Sequence, residues 1–412
     1  MKAIIKDPQI KKFCYYGFFK NLKFFEPYLI IYLSSVGLSY LQIGALYAFR
    51  EAVVYIFEIP SGIIADTYGK KFELMTCFIF YMISFSLFFI SSHFYVITLA
   101  MLFFALGEAF RSGTHKAMIF AYLEQKNWFE YKTFVYGRTR SFSLIGSALS
   151  SIISIAFYLY AGNLKILFAF SILPYVFDFI LIASYPESLN ERHKVTFSLS
   201  DFFRENKRQL TRFLKSKKLI MLTLNAASLD AIFKSVEDYI QPILQLLIIA
   251  TFEATESTLV VYLGVVYGII GVISAAGSRN VYKLLNRYSK ANLLDLFYKL
   301  MILIFSGIAL FTYFELRMII VLLFILSNIL IDSRRPVFVD IIGDHLEKDQ
   351  RATVLSIESQ LKSFIVICVA PLSGAIADHF GFTAVFIFLS VLMLILLQFF
   401  SVTKLFQKQA SH

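Results

Sequence analysis

Ionisable side chains stand in the middle of long apolar runs throughout this 412-residue chain, and its chemistry must lie with them. A charge at the centre of a bilayer costs about 2.5–3.5 kcal/mol on insertion scales, so such residues normally face a bundle interior or a watery cavity. On the run 218–247, Asp230, Lys234, Glu237, Asp238 and Gln241 fall within an arc of roughly 100° and form one polar stripe. Lys234 then stands one turn from a carboxylate on either side. Lys20, Lys23 and Glu26 follow at i,i+3 steps, with Pro27 loosening the helix just beyond. Lys20 has a stem long enough to snorkel toward the inner surface, which Glu26 lacks. Arg50 and Glu51 are adjacent and cannot share a helix face, so one of them must seek another helix. Glu108, Arg111 and His115 form a further stripe, Asn328, Asp332 and Arg335 another, and Glu358 with Lys362 a last one.

The residues expected to bind solute or couple an ion are therefore Lys23, Glu26, Arg50, Glu51, Glu108, Arg111, Asp230, Lys234, Asp238, Gln241, Asp332 and Lys362. A carboxylate that trades cationic partners would take up and release protons as access changes, because burial disfavours its charged form and a nearby cation favours it. Asp178 and Lys299 lie outside the stripes, and helix pairing or snorkelling is expected of them.

Other chemistries lack their residues. No two histidines stand at metal-ligand spacing, and Cys14, Cys77 and Cys368 sit in different apolar runs as packing residues, so no metal is expected. No glycine-rich phosphate loop followed by Lys and Ser/Thr is present, which argues against an ATP-driven pump. No nucleophile constellation stands out. Neither an enzyme nor a cofactor is expected.

The elements that must position these charges are membrane spans. The chain is 58% hydrophobic and only 16% charged, against about 25% charge in soluble domains. Apolar runs of roughly 20 residues, enough to cross a bilayer, recur at 13–36, 40–62, 72–92, 94–114, 135–159, 164–184, 218–247, 258–278, 293–314, 317–340, 352–376 and 382–403. An all-α integral membrane protein of twelve transmembrane helices is expected. Residues 1–12 are polar and lead straight into a full-length run, so the first run reads as a retained span and not a cleaved signal.

The net charge of +11 distributes by topology and predicts no nucleic-acid partner. With the N-terminus inside, cytoplasmic segments hold about thirty of the 39 Lys and Arg, whereas outer loops hold Lys165 and Arg317. Both termini are then cytoplasmic. The longest polar interval, 186–217, divides the spans into two six-helix bundles, 1–185 and 218–412. Within it, Leu199, Phe202, Phe203, Leu210, Phe213 and Leu214 recur at helical spacing among basic residues, as in an amphipathic helix on the inner leaflet.

Two internal echoes refine this plan. Pro60-Ser61-Gly62-Ile63-Ile64-Ala65-Asp66-Thr67-Tyr68-Gly69 is repeated as Pro371-Leu372-Ser373-Gly374-Ala375-Ile376-Ala377-Asp378-His379-Phe380-Gly381. The copies fall on opposite sides of the membrane, as inverted three-helix repeats require. In addition, Lys23-x-x-Glu26-Pro27 aligns with Asp238-x-x-Gln241-Pro242, which suggests a parallel repeat of the two halves.

The segment Gly62-Ile63-Ile64-Ala65-Asp66-Thr67-Tyr68-Gly69-Lys70-Lys71 resembles the signature between helices two and three of the major facilitator superfamily. Thr67 stands where that signature carries arginine. Gly107-Glu108-Ala109-Phe110-Arg111-Ser112-Gly113 and Arg351-Ala352-Thr353-Val354-Leu355-Ser356 are similar to bacterial drug-efflux-like members. The resemblance implies a cavity lined by helices one, four, seven and ten. It also implies a cytoplasmic latch made by Gly62, Asp66, Gly69, Lys70 and Lys71. The function expected is secondary active transport of a small polar, charged or zwitterionic solute by alternating access, coupled to protons or else sodium. The alternative is a proton-driven multidrug exporter of amphipathic compounds; an embedded enzyme or a receptor fits less well. A monomer in contact with membrane lipid, in a bacterial inner membrane, is expected.

Overall fold

The computed structural model describes residues 2–190, 216–249, 255–280, 288–345 and 348–403, and every regular element among them is helical. The first part of the chain runs through α1 (Lys2–Lys6), α2 (Pro8–Phe19), α3 (Leu29–Ser35), α4 (Tyr40–Tyr68) and α5 (Lys70–Ile90). It continues through α6 (Phe94–Arg111), α7 (Thr114–Gln125), α8 (Lys132–Ala161) and α9 (Ile166–Ala183). The second part comprises α10 (Lys217–Val236), α11 (Ile240–Ile249), α12 (Glu256–Asn280), α13 (Lys290–Tyr313), α14 (Arg317–His345) and α15 (Lys348–Phe400). The amphipathic segment 199–214 lies outside the described residues.

Eight helices among the described residues are long and apolar enough to cross a membrane by length and composition. The remaining apolar runs fall short for visible reasons. The first is interrupted between Phe19 and Leu29, α4 carries Arg50 and Glu51, and α14 carries Asp332, Arg334 and Arg335. Within α15, Gly381 has φ 77° and ψ 174°, a backbone available to glycine, and this divides the helix in two.

Two interruptions correct the helical-phase reading. After Phe19 the chain leaves the helix and makes a single 3-10 turn, Glu26–Tyr28, before α3 begins. Lys20, Lys23 and Glu26 therefore do not lie at i,i+3 steps on one helix. A matching 3-10 turn, Glu237–Tyr239, separates α10 from α11. Asp230 and Lys234 keep their i,i+4 relation, while Asp238 and Gln241 follow a different axis. Both breaks coincide with the Lys23/Asp238 echo: Pro27 opens the 3-10 turn and Pro242 lies in the first turn of α11, positions where a missing N–H costs little.

The chain packs as two compact units. One gathers Met1–Leu38, Phe49–Thr196 and Glu253–Val272; the other gathers Ser39–Ala48, Phe197–Phe252 and Ile273–His412. In the first, α2 begins on an Asp7 N-cap whose carboxylate accepts from Gln9 and Ile10 N–H at 2.9 and 3.0 Å. Its core is aromatic, with Phe168 stacked on Phe25 and Phe88 at ring distances of 4.6 and 4.7 Å. In the second, α10 packs along α15, and α13 along α14 and α15.

Candidate functional site

Each unit contains a half-buried carboxylate shared between two cations. In the first, Glu108 Oε2 accepts from Arg111 Nη2 at 2.9 Å, while Lys23 Nζ lies 3.9 Å from Oε1. Tyr81 donates its hydroxyl to Glu108 Oε1 at 2.5 Å and receives Arg111 Nε at 3.1 Å. Lys23 also reaches Glu26 Oε1 at 3.4 Å, so one ammonium serves two carboxylates. The break after Phe19 delivers Lys23 there. Lys23 and Glu26 further line a cavity of about 90 Å³ with Ser147, Ser150 and Tyr267.

In the second unit, Asp230 Oδ1 accepts from Arg334 Nη1 at 2.7 Å, and Arg335 Nη1 lies 3.8 Å from Oδ2. Arg335 continues to Glu358 Oε2 at 2.7 Å. The Arg334 side chain is 1% exposed and also donates to the Ala226 carbonyl and Asn225 Oδ1, each at 3.3 Å. Near the α10–α11 break, Asp238 accepts from Tyr47 Oη at 3.0 Å and from Gln241 Nε2 at 3.3 Å. Asp332 and Lys362 are half-buried, Lys362 one turn beyond Glu358.

These contacts bring together Lys23, Glu26, Glu108 and Arg111 in one cluster and Asp230 with Arg335 and Glu358 in another. Asp230 takes its near cation from α14, not only from the helix it shares with Lys234. Arg50 bends back onto its own neighbour, Nη2 to Glu51 Oε1 at 3.6 Å, which the one-face rule for adjacent residues did not foresee. A long guanidinium stem reaches where a short side chain cannot. Asp178 is fully buried and does not snorkel; neither carboxylate oxygen is hydrogen-bonded among the described residues, and the cation acting on it is Lys20. Arg334, Tyr81 and Tyr47 escaped the sequence reading. Helical phase selected Arg335 and passed over the adjoining arginine, although two arginines inside an apolar run are themselves a signal.

The repeated loops share a backbone device. Gly69 has φ 102° and Gly381 φ 77°, so the last residue of each copy turns through the left-handed region. Around the first copy, Asn190 Oδ1 accepts from Lys71 N–H, and Lys71 Nζ donates to the Tyr185 carbonyl, both at 3.1 Å. Asp66 is exposed. Tyr185, just beyond α9, is buried, and burial with the nearby Asp178 carboxyl pushes its phenol well above the usual range. In the second copy, both Asp378 oxygens accept backbone N–H groups at the start of α4, from Tyr40 at 2.9 Å and Leu41 at 2.8 Å. This is an N-cap supplied from a distant part of the chain. Gly374 permits it, since a Cβ there would stand 2.1 Å from the Tyr40 carbonyl oxygen.

The Major Facilitator Superfamily model matches residues 13–357. The chain belongs to the major facilitator superfamily. A superfamily relative, the uncharacterized MFS-type transporter YxaM of Bacillus subtilis (strain 168), is 25% identical over 222 residues. That match covers 53% of this chain, and the chain spans about half the length of this relative, 54% of it. Among solved structures, a mutant of the nucleoside transporter NupG has a TM-score of 0.80 at 14% identity, covering 95% of this chain and 98% of its own. A POT family transporter in complex with 5-aminolevulinic acid has a TM-score of 0.75 at 12% identity, covering 95% and 96%. At these identities the structures show a shared fold, and the family together with the apolar helices makes this an integral membrane protein.

Proposed function

We propose that this superfamily member moves a small polar, charged or zwitterionic solute across the membrane by alternating access, coupled to protons. The observation that carries the reading is the recurrence, in each unit, of a half-buried carboxylate divided between two cations: Glu108 with Lys23 and Arg111, Asp230 with Arg334 and Arg335. Ionic groups at membrane depth are costly, and their abundance favours a hydrated, charged solute over a greasy one. A carboxylate with two alternative cations can be protonated when one partner withdraws, which would couple proton entry to a change of access. Twelve spans in two six-helix bundles, 1–185 and 218–412, with both termini in the cytoplasm, complete the proposal. Gly62, Asp66, Gly69, Lys70 and Lys71 serve in it as a cytoplasmic latch.

The test is reconstitution into sealed proteoliposomes loaded with a pH-sensitive dye. Solutes are first ranked by the thermal stabilisation they give the purified protein. A stabilising polar solute should enter with a matching pH change that an uncoupler abolishes. A solute that binds without crossing the sealed membrane would make the protein a receptor and overturn the reading.

A further inference from the structure

A cavity of about 210 Å³ within the first unit is lined from four elements, the end of α2 and helices α6, α7 and α8, by Lys20, Arg111, His115, Lys116 and Arg140. Of its four full cations, Arg111 alone has a carboxylate within 4 Å among the described residues, namely Glu108. Lys20, which the sequence reading sent toward the membrane surface, lies half-buried in this cavity with its ammonium 5.5 Å from the Tyr16 ring centre. Lys116 rests over Tyr136 at 5.2 Å. His115 stacks on Tyr16 with ring centres 3.6 Å apart, which fixes that wall. Thr139 and Ser143 of α8 line the cavity as well, their hydroxyls donating to the Tyr136 and Thr139 carbonyls at 2.9 and 3.2 Å. Gly17, which also lines the cavity, lets α2 approach α8 so closely that a Cβ would stand 2.7 Å from Ser143 Oγ.

Gathering like charges in one concavity beside an apolar bundle is unfavourable unless an anion joins them. Three cations with no carboxylate in ion-pair distance among the described residues call for a ligand of two negative charges, and their several N–H donors suit an oxyanion with several acceptor oxygens. We propose that this cavity binds a dianionic oxyanion, as carried by a phosphate monoester, and that the group belongs to the transported solute. The second clause rests on the transport reading; the first does not.

The experiment is equilibrium binding to the intact purified protein, with no gradient involved. Inorganic phosphate should raise the melting temperature over sodium chloride at equal ionic strength. Lys20→Gln with Arg140→Gln should weaken the apparent affinity by about tenfold or more per cation removed, whereas Lys126→Gln, at an exposed site outside the cavity, should leave it unchanged. Arg140→Gln alone, at an exposed position, keeps the test valid should the double variant fold poorly. Equal stabilisation by phosphate and chloride, in both detergent and lipid, would overturn the site, as would phosphate binding unaffected by the variants. Stabilisation by phosphatidylglycerol vesicles but not by free phosphate, lost in the variants, would keep the oxyanion site and overturn its assignment to solute. Phosphate binding that is lost in the variants, combined with no solute movement in vesicles, would leave the site standing and count against transport.

Discussion

Arg334 reaches out of α14 to hold Asp230 at 2.7 Å, with its own side chain 1% exposed. Removing Asp230 strands the buried Arg334 guanidinium, at a cost of about 3–5 kcal/mol, whereas replacing both by uncharged groups is often nearly neutral. Asp230→Asn should therefore lower the melting temperature of the solubilised protein sharply, and Asp230→Asn with Arg334→Met should recover most of the loss. Transport by the double variant should stay impaired if the pair does more than hold the fold. Thermal denaturation beside vesicle uptake separates the two: full recovery of both would reduce the pair to a structural bridge.

Asp378 and Asp66 occupy the same place in the two copies of the repeat, yet only Asp378 has its contacts with the start of α4 in this structure. Gly374→Val should eject that contact, because the nearest obstacle is backbone and cannot rotate away. Asp378→Asn, which keeps one acceptor oxygen and loses the charge at the helix N-terminus, should cost about 1 kcal/mol. Both should change the transport rate with little effect on solute affinity, and Asp66→Asn should do likewise. Hydrogen exchange at Tyr40 and Leu41 reports the cap directly; unchanged protection in Gly374→Val would refute the geometry.

What the sequence discloses here depends on whether a helix is continuous. Charges inside apolar runs are conspicuous because lipid penalises them, and so Lys23, Glu26, Glu108, Arg111 and Asp230 can be singled out without coordinates. Their partners cannot, since pairing across helices depends on axis positions that periodicity does not encode; Arg334 and Tyr81 are the result. The breaks after Phe19 and Val236 were visible only as an echo around two prolines, and each one resets the phase on which a stripe is drawn. Gly69 and Gly381 were legible as turn residues, because a repeated glycine ending a repeated motif points to a backbone no other residue adopts readily.

The positive-inside count places Lys126 in the cytoplasm and Lys165 outside. Cysteines at these positions, in a background lacking Cys14, Cys77 and Cys368, should label oppositely with an impermeant reagent on intact cells. Position 165 should react from outside. Position 126 should react only after permeabilisation, and the reverse pattern would invert the topology.

Lys23 stands between two carboxylates, 3.4 Å from Glu26 and 3.9 Å from Glu108, and the coupling prediction turns on which of them yields it. Glu108 also holds Arg111 and the Tyr81 hydroxyl, so it can surrender Lys23 without losing every partner. Glu108→Gln should abolish solute-linked proton movement and flatten the pH dependence of uptake, while exchange of solute for solute, which needs no net proton transfer, persists. The gradient-driven rate should fall by roughly tenfold or more, equivalent to about 1.4 kcal/mol on the rate-limiting barrier. Glu26→Gln leaves Glu108 with all three partners and should reduce the rate without erasing its pH dependence. Lys23→Gln should differ from both, since it removes the cation that two carboxylates share. Uptake and counterflow in proteoliposomes across the neutral pH range distinguish the three. If Glu108→Gln retains full gradient-driven uptake with an unaltered pH profile, its network is structural and the proton site must be sought at Asp230 or Glu51.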